Sequence, residues 1–262
     1  MATRGGVWRR HRARVAANLA LLVALGGVVF YAAHTDGYRT HRAELNDGGI
    51  WTTNPRLGYF GRVNKQIGQY DGAVFADSGS ALDIVQEDSA VVGVDLTTGR
   101  ISPIDPARVA EPDGQQASIP AAGQVQLAGG TLAVLDERDG ALRAARVDPE
   151  SGTPAVSALD TSARTLALAG PRAALAVTQA GTVFAISADE DTLTRVDPVG
   201  DGFGPARRFP LAVPLGDGAD LTTVGQTPVT LDPGAGSLAA VGGARAVVEA
   251  DAVLQQPGPD AA

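Results

Sequence analysis

The 262-residue chain contains no cysteine. This excludes disulfides, thiolate nucleophiles, iron–sulfur clusters and cysteine-ligated zinc. Lysine is nearly missing too: Lys65 is the one lysine among 21 basic residues, so no lysine cluster exists. The three histidines are His11, His34 and His41, and from residue 49 onward neither His nor Cys occurs. A Ser-His-Asp triad, a Cys-His pair and the common His-ligated metal sites are therefore excluded from that region. No Gly-x-Ser-x-Gly elbow or Walker-type loop is present. Aromatic residues make up only 5% of the chain, which predicts modest packing. No ten-residue amphipathic helical pattern interrupts the chain after residue 49, which disfavours helical solenoids and α/β folds.

The charge is unevenly placed. Arg4, Arg9, Arg10, Arg12 and Arg14 give the first fourteen residues +5, with no acid among them. All 29 acids lie after residue 35 against 16 bases, so that part carries 16 − 29 = −13. A nucleic-acid binder would carry positive charge on its folded domain, so this distribution argues against one. Between the two lies VAANLALLVALGGVVFYAA, Val15–Ala33, nineteen residues without a charge. At 1.5 Å per residue such a helix spans roughly 28 Å, close to the ~30 Å hydrocarbon core of a bilayer. Phe30 and Tyr31 sit where aromatic rings favour the interface, and the arginines predict a cytoplasmic N-terminus. A cleaved signal peptide is the rival reading. It needs small residues before its cleavage site, where Phe30 and Tyr31 stand. The sequence therefore predicts a cytoplasmic basic tail over 1–14, a membrane helix over 15–34 and a polar juxtamembrane spacer over 35–48. An extracytoplasmic domain over 49–254 and a Pro/Gly tail over 255–262 follow.

A degenerate repeat runs through the domain. Short β-branched runs end at Asn54, Asp95, Asp136, Asp189 and Asp232, each followed by a Gly-, Asp- or Thr-rich turn and a second apolar run. Successive anchors are 41, 41, 53 and 43 residues apart. In three units the second run closes in Asp-Pro, at Asp105-Pro106, Asp148-Pro149 and Asp197-Pro198. ALDIVQED, QVQLAGG and RTLALAGPRAALAV form upstream runs. Alternation in LAVLD and LTRVD predicts half-buried strands, and Asp/Gly turns suit tight hairpins. Asp-Pro is read as the end of the last strand, because proline gives the ladder no N–H. Three or four strands every 41–53 residues is the spacing of a propeller blade. The expected fold is all-β: about five β-propeller-like meander repeats, in a small or incomplete ring, after one transmembrane helix. AVVEADAVLQQ is read as the start of a further unit. A β-sandwich explains the strand spacing but not the recurring turn-then-VDP pattern.

The block DGGIWTTNPRLGYFGRVNKQIGQYDG, Asp47 to Gly72, resembles the opening of an actinobacterial family of membrane-anchored proteins with fibronectin type III domains. Trp51 and Asn54 match its GG-[VI]-W-x-T-N stretch. Gly61, Arg62, Asn64, Lys65, Ile67 and Gly68 match its G-R-x-N-K-x-I-G stretch. The resemblance implies one transmembrane helix, a propeller-like extracytoplasmic region and fibronectin domains that this sequence does not show. It implies no activity. From it come the candidate partner-binding residues Trp51, Asn54, Arg62, Asn64 and Lys65. Read on their own, Trp51 and Ile50 are blade-packing residues, Asn54-Pro55 opens a turn, and Arg62 and Lys65 lie on a solvated strand edge.

Carboxylates are the one catalytic device left. Asp189, Glu190 and Asp191 cluster on one expected turn, Asp217 and Asp220 on another, and solvated turn charges are the plainer reading. The first cluster lacks the D-x-[DN]-x-[DN]-G order of a calcium loop. Gly200–Gly204 superficially resembles a glycine-rich loop, but Pro205 interrupts it and no helix follows, so it is a connection. The expected function is a non-catalytic, membrane-anchored scaffold that recognises a protein or cell-envelope polymer, without cofactor, metal or nucleic acid. The alternative is a propeller-type, carboxylate-dependent glycan hydrolase or lyase of the envelope.

Overall fold

Residues 49–121, 123–249 and 252–254 are described by a computed structural model. The basic tail, membrane helix, spacer and C-terminal tail expected for 1–48 and 255–262 lie outside the described residues. Among the described residues no helix is long and apolar enough to cross a membrane.

The described residues form antiparallel meander sheets in chain order. The first holds β1 (Gly49–Asn54), β2 (Tyr59–Asn64) and β3 (Gln69–Phe75). The second holds β4 (Leu82–Glu87), β5 (Ala90–Asp95), β6 (Arg100–Ile104) and β7 (Ala117–Ser118). The third holds β8 (Gly123–Ala128), β9 (Thr131–Asp136), β10 (Ala141–Arg146) and β11 (Ala167–Leu168). In the fourth, β12 (Ala173–Val177), β13 (Val183–Ser187) and β14 (Thr192–Val196) are followed by a small hairpin. That hairpin, β15 (Pro198–Val199) with β16 (Gly202–Phe203), leads to the sheet's fourth strand, β17 (Arg207–Pro210). The fifth holds β18 (Asp220–Val224), β19 (Thr227–Asp232), β20 (Ser237–Ala240) and β21 (Arg245–Val247). The inner strands line up in sequence, β4 against β8, β8 against β12, and β12 against β18.

One turn recurs in all five sheets. The residue four after each anchor has a left-handed backbone: Gly58, Gly99, Gly140, Asp191 and Gly236, with φ from 48° to 69°. Its carbonyl accepts the N–H of the residue that follows the outer strand: Ala76, Ile119, Ala169, Leu211 and Val248, at 2.7–2.9 Å. The anchor side chain caps the turn. Asn54, Asp95, Asp136 and Asp232 accept amide N–H groups two or three residues on, as Ser187 Oγ does from Glu190. This correspondence makes β1 the counterpart of the second strand of the other sheets. The fourth anchor is thus Ser187 and not Asp189, and the spacings become 41, 41, 51 and 45 residues.

Side-chain alternation then builds the stack. In β9, Leu132 and Val134 pack with Val92 and Val94 of the second sheet, while Ala133 and Leu135 pack with Leu175, Val183 and Ala185 of the fourth. Trp51 and Phe60 meet Val91 and Ile104 across the first interface, and Phe184 and Ile186 meet Leu221 across the last. Four hydrophobic cores thus join five sheets, and among the described residues no such core joins the first sheet to the fifth. The described residues form the expected all-β, propeller-like run of five meander repeats.

Three expectations need correcting. LAVLD is not half-buried: Leu132, Ala133, Val134 and Leu135 are all fully buried, because a central strand in a stack has a sheet against each face. Asp-Pro ends the third strand and not the last, because β7, β11 and β17 return to pair beyond it. The start of the run AVVEADAVLQQ belongs to the fifth unit, since Arg245–Val247 pairs with β20 as its fourth strand.

The turn glycines make the first test. A Cβ at Gly140 would lie 2.3 Å from the backbone N and O of Gly170, whereas at Gly68 (φ +63°) it meets nothing within 4 Å. Gly68→Ala should cost about 1–2 kcal/mol from the left-handed backbone alone. Gly140→Ala should cost clearly more, and its thermal midpoint should fall well below that of Gly68→Ala. Leu135→Ala, which opens a cavity in an inter-sheet core, should cost about 2–5 kcal/mol by denaturant titration.

Candidate functional site

The turn ties bring three sheets to one cleft. Phe75 ends β3 and Ala76 and Asp77 follow it, Thr98–Arg100 form the turn into β6, Gln116–Ser118 lead through β7, and Asp160 reaches in from the third sheet's long connection. Together they line a cleft of about 560 Å³. At its floor Gly99 and Ala117 are buried, and at its rim Phe75 is 75% exposed.

Each polar group has a different degree of freedom. Asp160 accepts N–H bonds from Ser118 (2.9 Å) and Ser162 (2.9 Å) and a bond from the Ser162 hydroxyl (2.6 Å). The Ser162 hydroxyl, the Ser118 amide and the Ser162 amide hold its pKa down to about 2. Arg100 Nη2 lies 3.3 Å from Glu111 Oε1, and Glu111 also accepts from Ser102 Oγ (2.8 Å) and Gln116 Nε2 (3.1 Å). The guanidinium therefore already faces a carboxylate. Asp77 is exposed, and its carboxylate has no partner among the described residues.

A second cleft of about 570 Å³ lies along the connection after β10, between Arg146–Pro149, Thr153–Ser157 and the second sheet's Gly114–Gln116. Asp148 and Asp201 are its acids, and Asp148 is a turn cap whose pKa is lowered by the amides of Ser151 and Glu150 and by the Ser151 hydroxyl.

The family-like residues do not converge. Trp51 is 5% exposed in the core between the first two sheets. Asn54 caps the β1–β2 turn, and Asn64, at the other end of that hairpin, caps the β2–β3 turn through Gln66 N–H. Arg62 donates to Asp71 at 2.7 Å and to the Pro106 carbonyl. Lys65 is on the exposed turn after Asn64. Ile50 is 44% exposed on the face of the first sheet opposite Trp51, and on that sheet the Tyr59 and Tyr70 rings cross edge-on at 6.2 Å. Tyr59 and Tyr70 fold over Gly61, where a Cβ would strike the Tyr70 ring at 2.7 Å.

The two acidic turns do converge, but on a base. Arg172 pairs with both Asp189 and Asp217, and Glu190 pairs with Arg208 at 3.2 Å. Asp191 accepts the Leu215 N–H, and Asp220 accepts the Leu221 N–H. Among the described residues no group of three or more His, Asp or Glu is placed to hold a metal ion. Gly200 lies in the connection between β15 and β16, as expected. The cleft itself was missed by sequence reasoning. Its residues come from three repeats and share no spacing, so only the anchors that position them were readable.

No family model and no curated relative matches the chain. Solved structures do. The chain is similar to Hsv2 of Kluyveromyces lactis, with a TM-score of 0.54 at 13% identity, over 74% of this chain and 57% of that one. It is also similar to a streptogramin B lyase, with a TM-score of 0.52 at 13% identity, over 80% of this chain and 66% of that one. The chain thus spans about three fifths of the length of these proteins. Both are β-propeller-type, and at this identity the likeness shows the fold: an all-β, β-propeller-type protein.

The shifted carboxyls predict the acid limb of stability. Asp71 is lowered by its bond to Arg62, and Asp232 by the Ala235 amide against the opposing effect of burial. At Asp95 and Asp197 burial raises the pKa, and turn amides or arginines overcome it. A carboxyl lowered on folding stabilises the native state above its unfolded pKa near 4, and that gain is lost as pH falls through the folded value. The thermal midpoint should hold from pH 7 to about 5 and fall between about pH 4 and 2. Asp160→Asn should lower the midpoint at pH 7 and flatten that fall, as read by calorimetry across pH.

Proposed function

We propose that this chain is a membrane-anchored, extracytoplasmic binding protein whose propeller-type arc recognises a polymer of the cell envelope without catalysis. The cleft beside the first three sheets carries the reading. It is open, it combines an exposed aromatic ring with hydroxyl, amide and carboxylate groups, and it is built on rigid strand ends. The anchor rests on the +5 tail and the nineteen uncharged residues that follow it. The resemblance of Asp47–Gly72 to actinobacterial membrane-anchored proteins agrees with it.

The carboxylates favour binding over hydrolysis. A glycosidase needs a carboxyl that holds a proton near neutral pH beside one that does not. The cleft brings together Asp77 and Asp160, and three donors hold Asp160 in its ionised form, which suits binding more than proton donation. The six shifted carboxyls, Asp71, Asp95, Asp148, Asp160, Asp197 and Asp232, are all lowered. A protein partner is the second reading, favoured by Ile50, Tyr70 and Phe75 on the open face of the first sheet, 44–75% exposed.

Full-length protein in detergent micelles should co-sediment with isolated cell-wall sacculi. Phe75→Ala and Gln116→Ala should each weaken this at least tenfold with the thermal midpoint unchanged. Equal binding by both variants, or none by the parent, overturns the assignment. Protease added outside intact cells should digest the domain after residue 48 and leave a short N-terminal remnant; full protection would place the domain inside.

A further inference from the structure

Resting on that reading, we propose that the polymer is a glycan with free amino groups, bound with its ammonium at Asp77 and its sugar face on Phe75. Asp77 and Asp160 both line the cleft, and Asp77 has no partner among the described residues. The cleft's one cation, Arg100, lies against Glu111. Arg143, whose charge acts on Asp160, donates to the Thr161 and Ala163 carbonyls, so the charge left unanswered in the cleft is that of Asp77. An anionic polymer would be repelled and an ammonium attracted, at contact distance and by the wider field. From residue 49 onward the chain carries 14 − 26 = −12.

The neutral groups suit a sugar more than a flexible amine chain. Phe75 presents an exposed ring whose negative face attracts the polarised C–H groups of a pyranose and, more strongly, a cation. Beside it Ser118 Oγ has no partner among the described residues, and neither does Gln116 Oε1. Asp160 keeps its charge throughout the physiological range because Ser118 and Ser162 hold it ionised. Glu111 spans Ser102, Arg100 and Gln116 and so fixes the cleft wall before any ligand arrives.

The test is titration calorimetry of the full-length protein in detergent micelles at pH 6 and low salt. The probes are a glucosamine hexamer, its fully N-acetylated counterpart and a tri-lysine peptide. The glucosamine hexamer should bind at least tenfold tighter than the N-acetylated one, and 0.5 M salt should remove most of that difference. Asp77→Asn should weaken the amino form at least tenfold and the acetylated form several-fold less, so that the preference for the amino form collapses. Asp77 is exposed and its carboxylate makes no hydrogen bond or ion pair among the described residues, so this variant keeps the fold, which an unchanged thermal midpoint verifies. Equal affinity for the two hexamers overturns the ammonium assignment while the glycan reading stands. A tri-lysine peptide that binds as tightly as the amino sugar overturns the assignment to a sugar. No binding to either hexamer or to sacculi overturns this inference and the polymer reading together.

Discussion

A single backbone hydrogen bond, repeated in every sheet, organises this protein. The carbonyl of a left-handed turn residue holds the N–H that follows the outer strand, so the chain leaves each sheet at a fixed height and angle. Where the next sheet begins is set by that exit. At Gly99 and Gly140 a Cβ would lie 2.3–2.4 Å from the chain it holds, so glycine is the side chain that lets the tie close. At Asp191 the same geometry is made by an aspartate, a residue that tolerates the left-handed region and here also holds the Leu215 N–H.

From that constraint follows burial on both faces. Each middle sheet lies between two others, so β5, β9 and β13 are buried almost throughout, polar only at their ends, and their alternate side chains serve two different cores. The acids are excluded from those cores and gather at the turns. Asp95, Asp136 and Asp232 cap backbone amides, and Asp197 lies between Arg195 and Arg207. A strongly acidic composition thus serves mostly to close loops. The site depends on the few carboxylates left over, and Asp77 is one.

The repeat was legible because hairpin turns are local. Asn54, Asp95, Asp136 and Asp232 end a strand and cap the turn that follows, using residues only two or three positions away. The fourth unit misled because Asp189 looks like an anchor while Ser187 does the capping with its hydroxyl. Asp-Pro misled in a different way. It marks a real stop after the third strand, but the fourth strands are two to four residues long and separated from it by loops. Outer strands that short carry no period to detect. The resemblance offers Trp51, Asn54 and Asn64 for partner binding, whereas Trp51 faces the second sheet, as its residue type implies, and Asn54 and Asn64 cap opposite turns.

The all-β class, the five units, the anchors of four of them and the lack of histidine and cysteine after residue 48 are legible in the chain alone. They follow from composition and from interactions between near neighbours in the chain. Which strands are buried on both faces, that the first sheet begins at the counterpart of a second strand, and that Phe75, Asp77, Arg100, Ser118 and Asp160 share one cleft emerge only when the sheets stack. Those features depend on how sheets separated by some 40 residues stack, and no pattern within one repeat encodes the surface that three repeats make together.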